Sequence, residues 1–251
     1  MNRTDKANTK IAARGDAAGN NNRAIRLRVR FARQGPAAAL SHLEQIKAIR
    51  SIACNSGLPC LLSDFGKSKV VKMSFGPAVS VGYQSTAEYA DVYLSAVVTE
   101  QEAVEKLNKA CGGGFSVIGA KRIPLHFPSL ESLVNAAEYE VRGDFGGGSS
   151  RMPLEDFLRR DKILIRKTKP TGVEELIDAK PLIIAMKLNS PDCLYLFLRF
   201  GPKRNLKPER IINAWLSPDG SDNAPALQPD KWTVLRKQLY WESSSGRLTT
   251  P

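Results

Sequence analysis

Three arginines, Arg26, Arg28 and Arg30, alternate with Ile25, Leu27, Val29 and Phe31. A guanidinium is a planar fork that grips phosphate or carboxylate through two parallel hydrogen bonds, so such a row points to anion recognition. Tyr89 and Tyr93 keep the same two-residue phase in a later stretch, between Ala90, Val92 and Leu94. Rings beside guanidiniums on one surface suit unpaired RNA, because cations hold phosphates while rings stack on bases. Two other arrangements use the same residues. Arg28 can pair with Asp91 across neighbouring strands while the tyrosines shield the sheet. Alternatively, the second half of the chain, or a partner, can cover this face.

Two more basic clusters offer phosphate contacts. The first is Arg159, Arg160, Lys162, Arg166, Lys167 and Lys169, with Lys167 and Lys169 on one strand face. The second is Lys203, Arg204, Lys207 and Arg210, in a loop that opens a helix whose amides add to anion attraction. Either run also reads as a solvated face. His42, just after Ser41, is the one candidate for general base catalysis. That role needs a substrate hydroxyl within about 3 Å and an orienting partner, and the helix N-terminus favours the neutral ring. His126, between Leu125 and Phe127, reads as a packing residue. Gly146 to Ser150 precede a helix but lack the Gly-Lys-Ser/Thr ending of a nucleotide loop. The four cysteines, at 54, 60, 111 and 193, form no CxxC pair and only two histidines accompany them. No metal site and no cofactor is therefore expected.

The elements that must position these groups follow from periodicity. Residues 25–31 read as a strand. Ser41 and Glu44 form a capping box that starts a helix through Leu43, Ile46, Ile49 and Ala53. Strands are expected over 69–75 and 88–96, a helix capped by Thr99 and ended at Cys111 to Gly114, and a strand over 115–123. That order, βαββαβ, is the ferredoxin-like one, with two helices on one face of an antiparallel sheet and the other face open. The first and third strands are central neighbours, which places the arginines beside the tyrosines.

After a proline-punctuated connector, 124–136, the order repeats less clearly. It runs through strands at 138–142 and 163–168, a helix at 154–160, a hairpin of 181–188 with 194–200, a helix at 208–216 and a strand at 232–240. An extra element is expected near 173–178. The expected fold class is α+β, two tandem ferredoxin-like units with antiparallel sheets. The expected divisions are a basic tail at 1–24, domains at 25–123 and 137–242 joined by 124–136, and a fraying end at 243–251.

Composition narrows the class. Hydrophobic residues at 42% and charged residues at 25% of 251 suit a globular chain with a core. No apolar run is long enough for a membrane helix, and Met1 to Asn22 lack the apolar centre of a secretory signal. A cytoplasmic protein without membrane association is expected. The net charge of +12 is shared by the tail (+3), residues 25–136 (+5) and residues 137–251 (+4). A polyanionic partner is therefore expected to meet both halves.

Several segments carry a family resemblance. They are Leu27-Arg28-Val29-Arg30-Phe31, Leu40-Ser41-His42-Leu43-Glu44, Met73-Ser74-Phe75-Gly76-Pro77 with Val81-Gly82 and Glu88-Tyr89, and Ser129-Leu130 followed by residues 132–141. In this order they resemble the bacterial radical-SAM-linked protein family, a domain of unknown function, over about 25–200. Residues 165–169, with Ile177-Asp178 and Lys180-Pro181-Leu182, look like its later basic segment. The resemblance implies a partner, a radical-SAM protein with a cobalamin-type domain, and it carries over no catalytic residue. Where the family usually has Gly-Phe-Asn-Pro-His-Pro, this chain has Asp64-Phe65-Gly66-Lys67-Ser68-Lys69. The tandem architecture also resembles the repeat-processing endonucleases of CRISPR systems, without their glycine-rich C-terminal loop.

The leading expectation is a non-catalytic RNA-binding accessory protein that positions tRNA or rRNA for a radical-SAM enzyme. Its contacts are expected at Arg26, Arg28, Arg30, Tyr89 and Tyr93, then Arg166, Lys167, Lys169, Lys203 and Arg204. Two alternatives are a metal-independent endoribonuclease using His42 and a purely protein-binding subunit.

Overall fold

The computed structural model describes residues 24–145, 152–168, 174–201, 206–217 and 232–251. Strand β1, Ile25–Arg33, follows from the alternation of Leu27, Val29 and Phe31 with arginines. Helix α1, His42–Asn55, starts at the capping box, in which the Ser41 hydroxyl accepts from the Glu44 amide and the Glu44 carboxylate accepts from the Ser41 amide. Strands β2, Leu62–Phe65, β3, Ser68–Val71, and β4, Met73–Phe75, precede the long β5, Gln84–Leu94. Helix α2, Glu100–Ala110, is capped by Thr99, and β6, Phe115–Ile123, completes the first half. Leu130–Leu133 forms the short helix α3. The second half contains β7, Ala136–Gly143, α4, Leu154–Arg159, β8, Leu164–Thr168, β9, Glu174–Asp178, β10, Ile183–Ser190, β11, Cys193–Arg199, α5, Pro208–Leu216, β12, Trp232–Glu242, and β13, Leu248–Thr249.

The two halves do not form separate antiparallel sheets. One mixed, mostly antiparallel sheet runs β10-β11-β7-β12-β5-β1-β6, with β4 beside β5 and β13 beside β12, while β2–β3 and β8–β9 stand apart as two-stranded antiparallel pairs. The join is the pairing of β12 with β5, which is parallel through Leu235 with Gln84 and Arg236 with Ser85. It forms because β4 is short and pairs only with Ala90 to Val92, leaving the start of β5 as an open edge. An edge of unpaired amides and carbonyls is a template for another strand, and β12 satisfies it.

Two further expectations are corrected. The strand expected over 69–75 is broken at Lys72, whose amide donates to the Leu61 carbonyl at 2.7 Å and whose carbonyl accepts from the Tyr93 amide at 3.2 Å. The altered stretch 64–69 folds as the turn of the β2–β3 hairpin, with Gly66 at φ +61. The end expected to fray instead returns as β13 and pairs with Trp241 and Glu242.

One apolar core lies under α1 and α2, where Leu27, Val29 and Phe31 meet Ile49, Ile52 and Leu107. A second gathers Val141, Leu194, Leu196 and Leu198 with Ile211, Ile212 and Trp215 of α5. Among the described residues no helix is long and apolar enough to cross a membrane.

A sharp test of the first half is Gly114, at φ +92, where an added Cβ would lie 2.0 Å from the Gln34 carbonyl oxygen. Gly114→Ala is expected to cost about 2–4 kcal/mol in urea unfolding. Gly112→Ala, where nothing lies within 4 Å, should cost little.

Candidate functional site

Two of the three arginines in the row are buried. Arg26 and Arg28 are 3% and 2% exposed, and between them lies Asp91, fully enclosed on β5. Arg28 Nε donates to Asp91 Oδ1 at 2.7 Å and its Nη2 to Oδ2 at 3.0 Å, while Arg26 Nη2 reaches Oδ2 at 2.6 Å. The connector supplies the cover. After β6 it folds back over its own sheet, and the carbonyls of Leu125, Phe127 and Pro128 accept from the Arg26 guanidinium. Phe127 places its ring 5.6 Å from the Arg28 guanidinium carbon, a cation–π contact. The expectation of a bare Arg26/Arg28 surface is thereby corrected, because the guanidiniums form their bidentate bonds with Asp91 inside the protein.

Tyr89 is also enclosed, and its hydroxyl accepts from Gln238 at 3.1 Å. Tyr93 remains partly exposed, with Lys72 Nζ 5.0 Å and the Arg26 guanidinium 6.0 Å from its ring centre. Arg30 is partly exposed at the join, where it donates to the carbonyls of Thr86 and Lys237.

On the helix side, the join is held by a second buried ionic group. Glu88 on β5 and Arg236 on β12 are 3% and 2% exposed. Arg236 donates to Glu88 Oε1 from Nε at 3.1 Å and from Nη2 at 2.5 Å, and also to the Pro77 carbonyl at 3.1 Å. Gln45 on α1 donates to the other Glu88 oxygen at 3.2 Å and accepts from Arg33 at 2.6 Å. Segments Leu40 to Glu44, Met73 to Pro77 and Glu88-Tyr89, distant in sequence, therefore converge on this group.

His42 stands beside it, and its buried Nδ1 has no hydrogen-bond partner among the described residues. Burial lowers its pKa from the usual 6.5, and Arg236 and Arg33 lower it further against Glu88 and Glu131. The unfolded chain takes up this proton first, so stability falls as pH drops through about 6.5. His42→Gln should make the urea midpoint less sensitive to acidification.

Of the remaining basic residues expected to touch RNA, Arg166 and Lys167 lie on β8. Arg166 is exposed on β8, in register with Leu176 of β9, and its carbonyl accepts from Arg210 at 3.1 Å. Lys167 has its backbone opposite Glu175. Lys169, Lys203 and Arg204 lie outside the described residues. Among the described residues no three His, Cys, Asp or Glu side chains are grouped to hold a metal.

Sequence reasoning missed the second half's open sheet face. There Tyr195, Phe197 and Tyr240 stand near Lys187 and Lys237, opposite in phase to the buried Leu194, Leu196 and Leu198. The alternation was available, but both sets are apolar and so concealed which face is covered.

No curated protein matches the chain. A family model does, over residues 26–208, described as "Uncharacterized protein conserved in bacteria (DUF2344)". The match spans the arginine strand, the capping box, the connector and most of the second half, so the chain belongs to this uncharacterized family conserved in bacteria.

Proposed function

We propose that this protein is a non-catalytic RNA-binding accessory subunit that positions tRNA or rRNA for a separately encoded radical-SAM enzyme. The carrying observation is charge. Among the described residues the buried ionic groups are Arg26, Arg28, Arg33 and Arg236 against Glu88 and Asp91. They account for +2 of the chain's +12, leaving +10 on the other residues. A surplus of that size attracts a polyanion along the whole chain.

The strand orders β6-β1-β5-β4 and β12-β7-β11-β10 support reading the halves as two ferredoxin-like units joined edge to edge. The radical-SAM partner rests on the resemblance through Leu40 to Glu44 and Met73 to Pro77.

The test is binding of full-length protein to bulk tRNA and rRNA fragments over a salt series, in EDTA. The reading expects log affinity to fall linearly with log salt and the RNA to stay intact. Absence of binding at low salt, or affinity indifferent to salt, contradicts it. RNA cleavage lost in His42→Ala would favour the endoribonuclease. Capture of a radical-SAM protein unaffected by nuclease, without RNA binding, would favour a purely protein-binding subunit.

A further inference from the structure

We infer that the open face of β10, β11, β7 and β12 is a contact surface for unpaired RNA, with Tyr195 and Tyr240 as stacking platforms and Lys187, Lys237, Arg142 and Arg30 as phosphate contacts. The inference rests on the RNA-binding reading and names the surface and the class of RNA.

The face is built by register. Lys187 pairs with Tyr195, Tyr195 with Glu140, and Glu140 with Leu235, in one row across four strands. The next row carries Phe197, Glu138 and Gln238. Tyr195 and Tyr240 are partly exposed, and Phe197 packs 5.1 Å from the Tyr240 ring centre as a buried support. Tyr195 donates to Glu138 Oε1 at 2.8 Å, and the Tyr240 ring packs on Phe197 beside it. Burial and Glu138 push the Tyr240 hydroxyl up to about 12 and raise that of Tyr195 as well. The rings therefore stay neutral and fixed, as a stacking platform requires.

The charges complement a polyanion. Lys187, Lys237 and Arg142 are exposed, and Arg30 reaches the same region at the join. The carboxylates on this face are already engaged. Glu138 accepts from Tyr195, Glu140 accepts from Arg142 at 2.9 Å and from Lys237 at 3.3 Å, and Glu242 accepts from Arg199 at 2.6 and 2.8 Å. Lys187 Nζ lies 5.2 Å from the Tyr195 ring centre, so one cation and one ring are presented together. A duplex, whose bases are already stacked, makes no use of exposed rings, whereas a single strand uses both rings and cations.

The experiment measures binding of full-length protein to a uridine 12-mer and to the same strand in duplex. The single strand should bind more tightly than the duplex. Tyr195→Leu with Tyr240→Leu should weaken single-strand binding by about tenfold or more, whereas Tyr195→Phe with Tyr240→Phe, which keep the rings but lose the hydroxyl that donates to Glu138, should weaken it by less. Lys187→Glu, at an exposed position, should lower affinity and reduce the salt slope by about one. Parent binding with steep salt dependence, unchanged in the Leu pair or in Lys187→Glu, overturns this surface while leaving the RNA-binding reading intact. Failure of the parent to bind any RNA overturns both.

Discussion

Asp91→Ala is expected to lower the free energy of unfolding by about 3–5 kcal/mol. The carboxylate is fully enclosed and accepts from two guanidiniums that are themselves buried under the connector. Without it, two positive charges remain in a low-dielectric interior, and the connector carbonyls, already bonded to Arg26, cannot neutralise both. Asp91→Asn should recover little, since it restores an acceptor but not the charge. Replacing all three by apolar residues of similar volume, Arg26→Met, Arg28→Met and Asp91→Leu, should recover most of the loss, because a well-packed apolar group stands in for a buried ion set at little cost. Urea unfolding of the three variants checks the series, and a loss under 1 kcal/mol for Asp91→Ala would contradict the assignment.

Glu88→Ala is the second large effect, again about 3–5 kcal/mol, but its signature should differ. Glu88 ties Arg236 of the second half to Gln45 and Arg33 of the first. All three tryptophans, Trp215, Trp232 and Trp241, lie in the second half, while Cys60 and Cys111, the thiols left once the exposed Cys54 and the second-half Cys193 are replaced by Ser for labelling, lie in the first. In the parent, tryptophan fluorescence and cysteine labelling should report one unfolding transition. In Glu88→Ala the two probes should move apart, because the join then keeps only the short parallel pairing of β12 with β5, neutral hydrogen bonds such as Gln238 to Tyr89, and the apolar packing around Tyr83 and Ala87. Coincident transitions with a normal midpoint would show that the ionic group does not couple the halves.

Much of the first half was legible. The alternation of Ile25 to Phe31 located β1 and its apolar face, Ser41 with Glu44 fixed the start of α1, and the register of Arg28 with Asp91 was among the arrangements the strands allowed. What covers the arginines was not legible. The connector has no hydrophobic period, and it acts on Arg26 through backbone carbonyls, which any residue would supply. The join was equally hidden, since it depends on which sheet edge β12 meets about 150 residues after β5. On the second half's face, Tyr195 and Phe197 alternate with leucines, so apolarity alone could not tell outside from inside.

The central claim is that RNA touches the second half's open face and not the enclosed Arg26 and Arg28. Ultraviolet cross-linking of a bound uridine strand to the unmodified protein, followed by peptide mapping, tests it most directly. Adducts at Tyr195 and Tyr240, with none at Arg26 or Arg28, are the predicted result. Adducts concentrated at Arg26 and Arg28, with Tyr195 and Tyr240 unmarked, would contradict it.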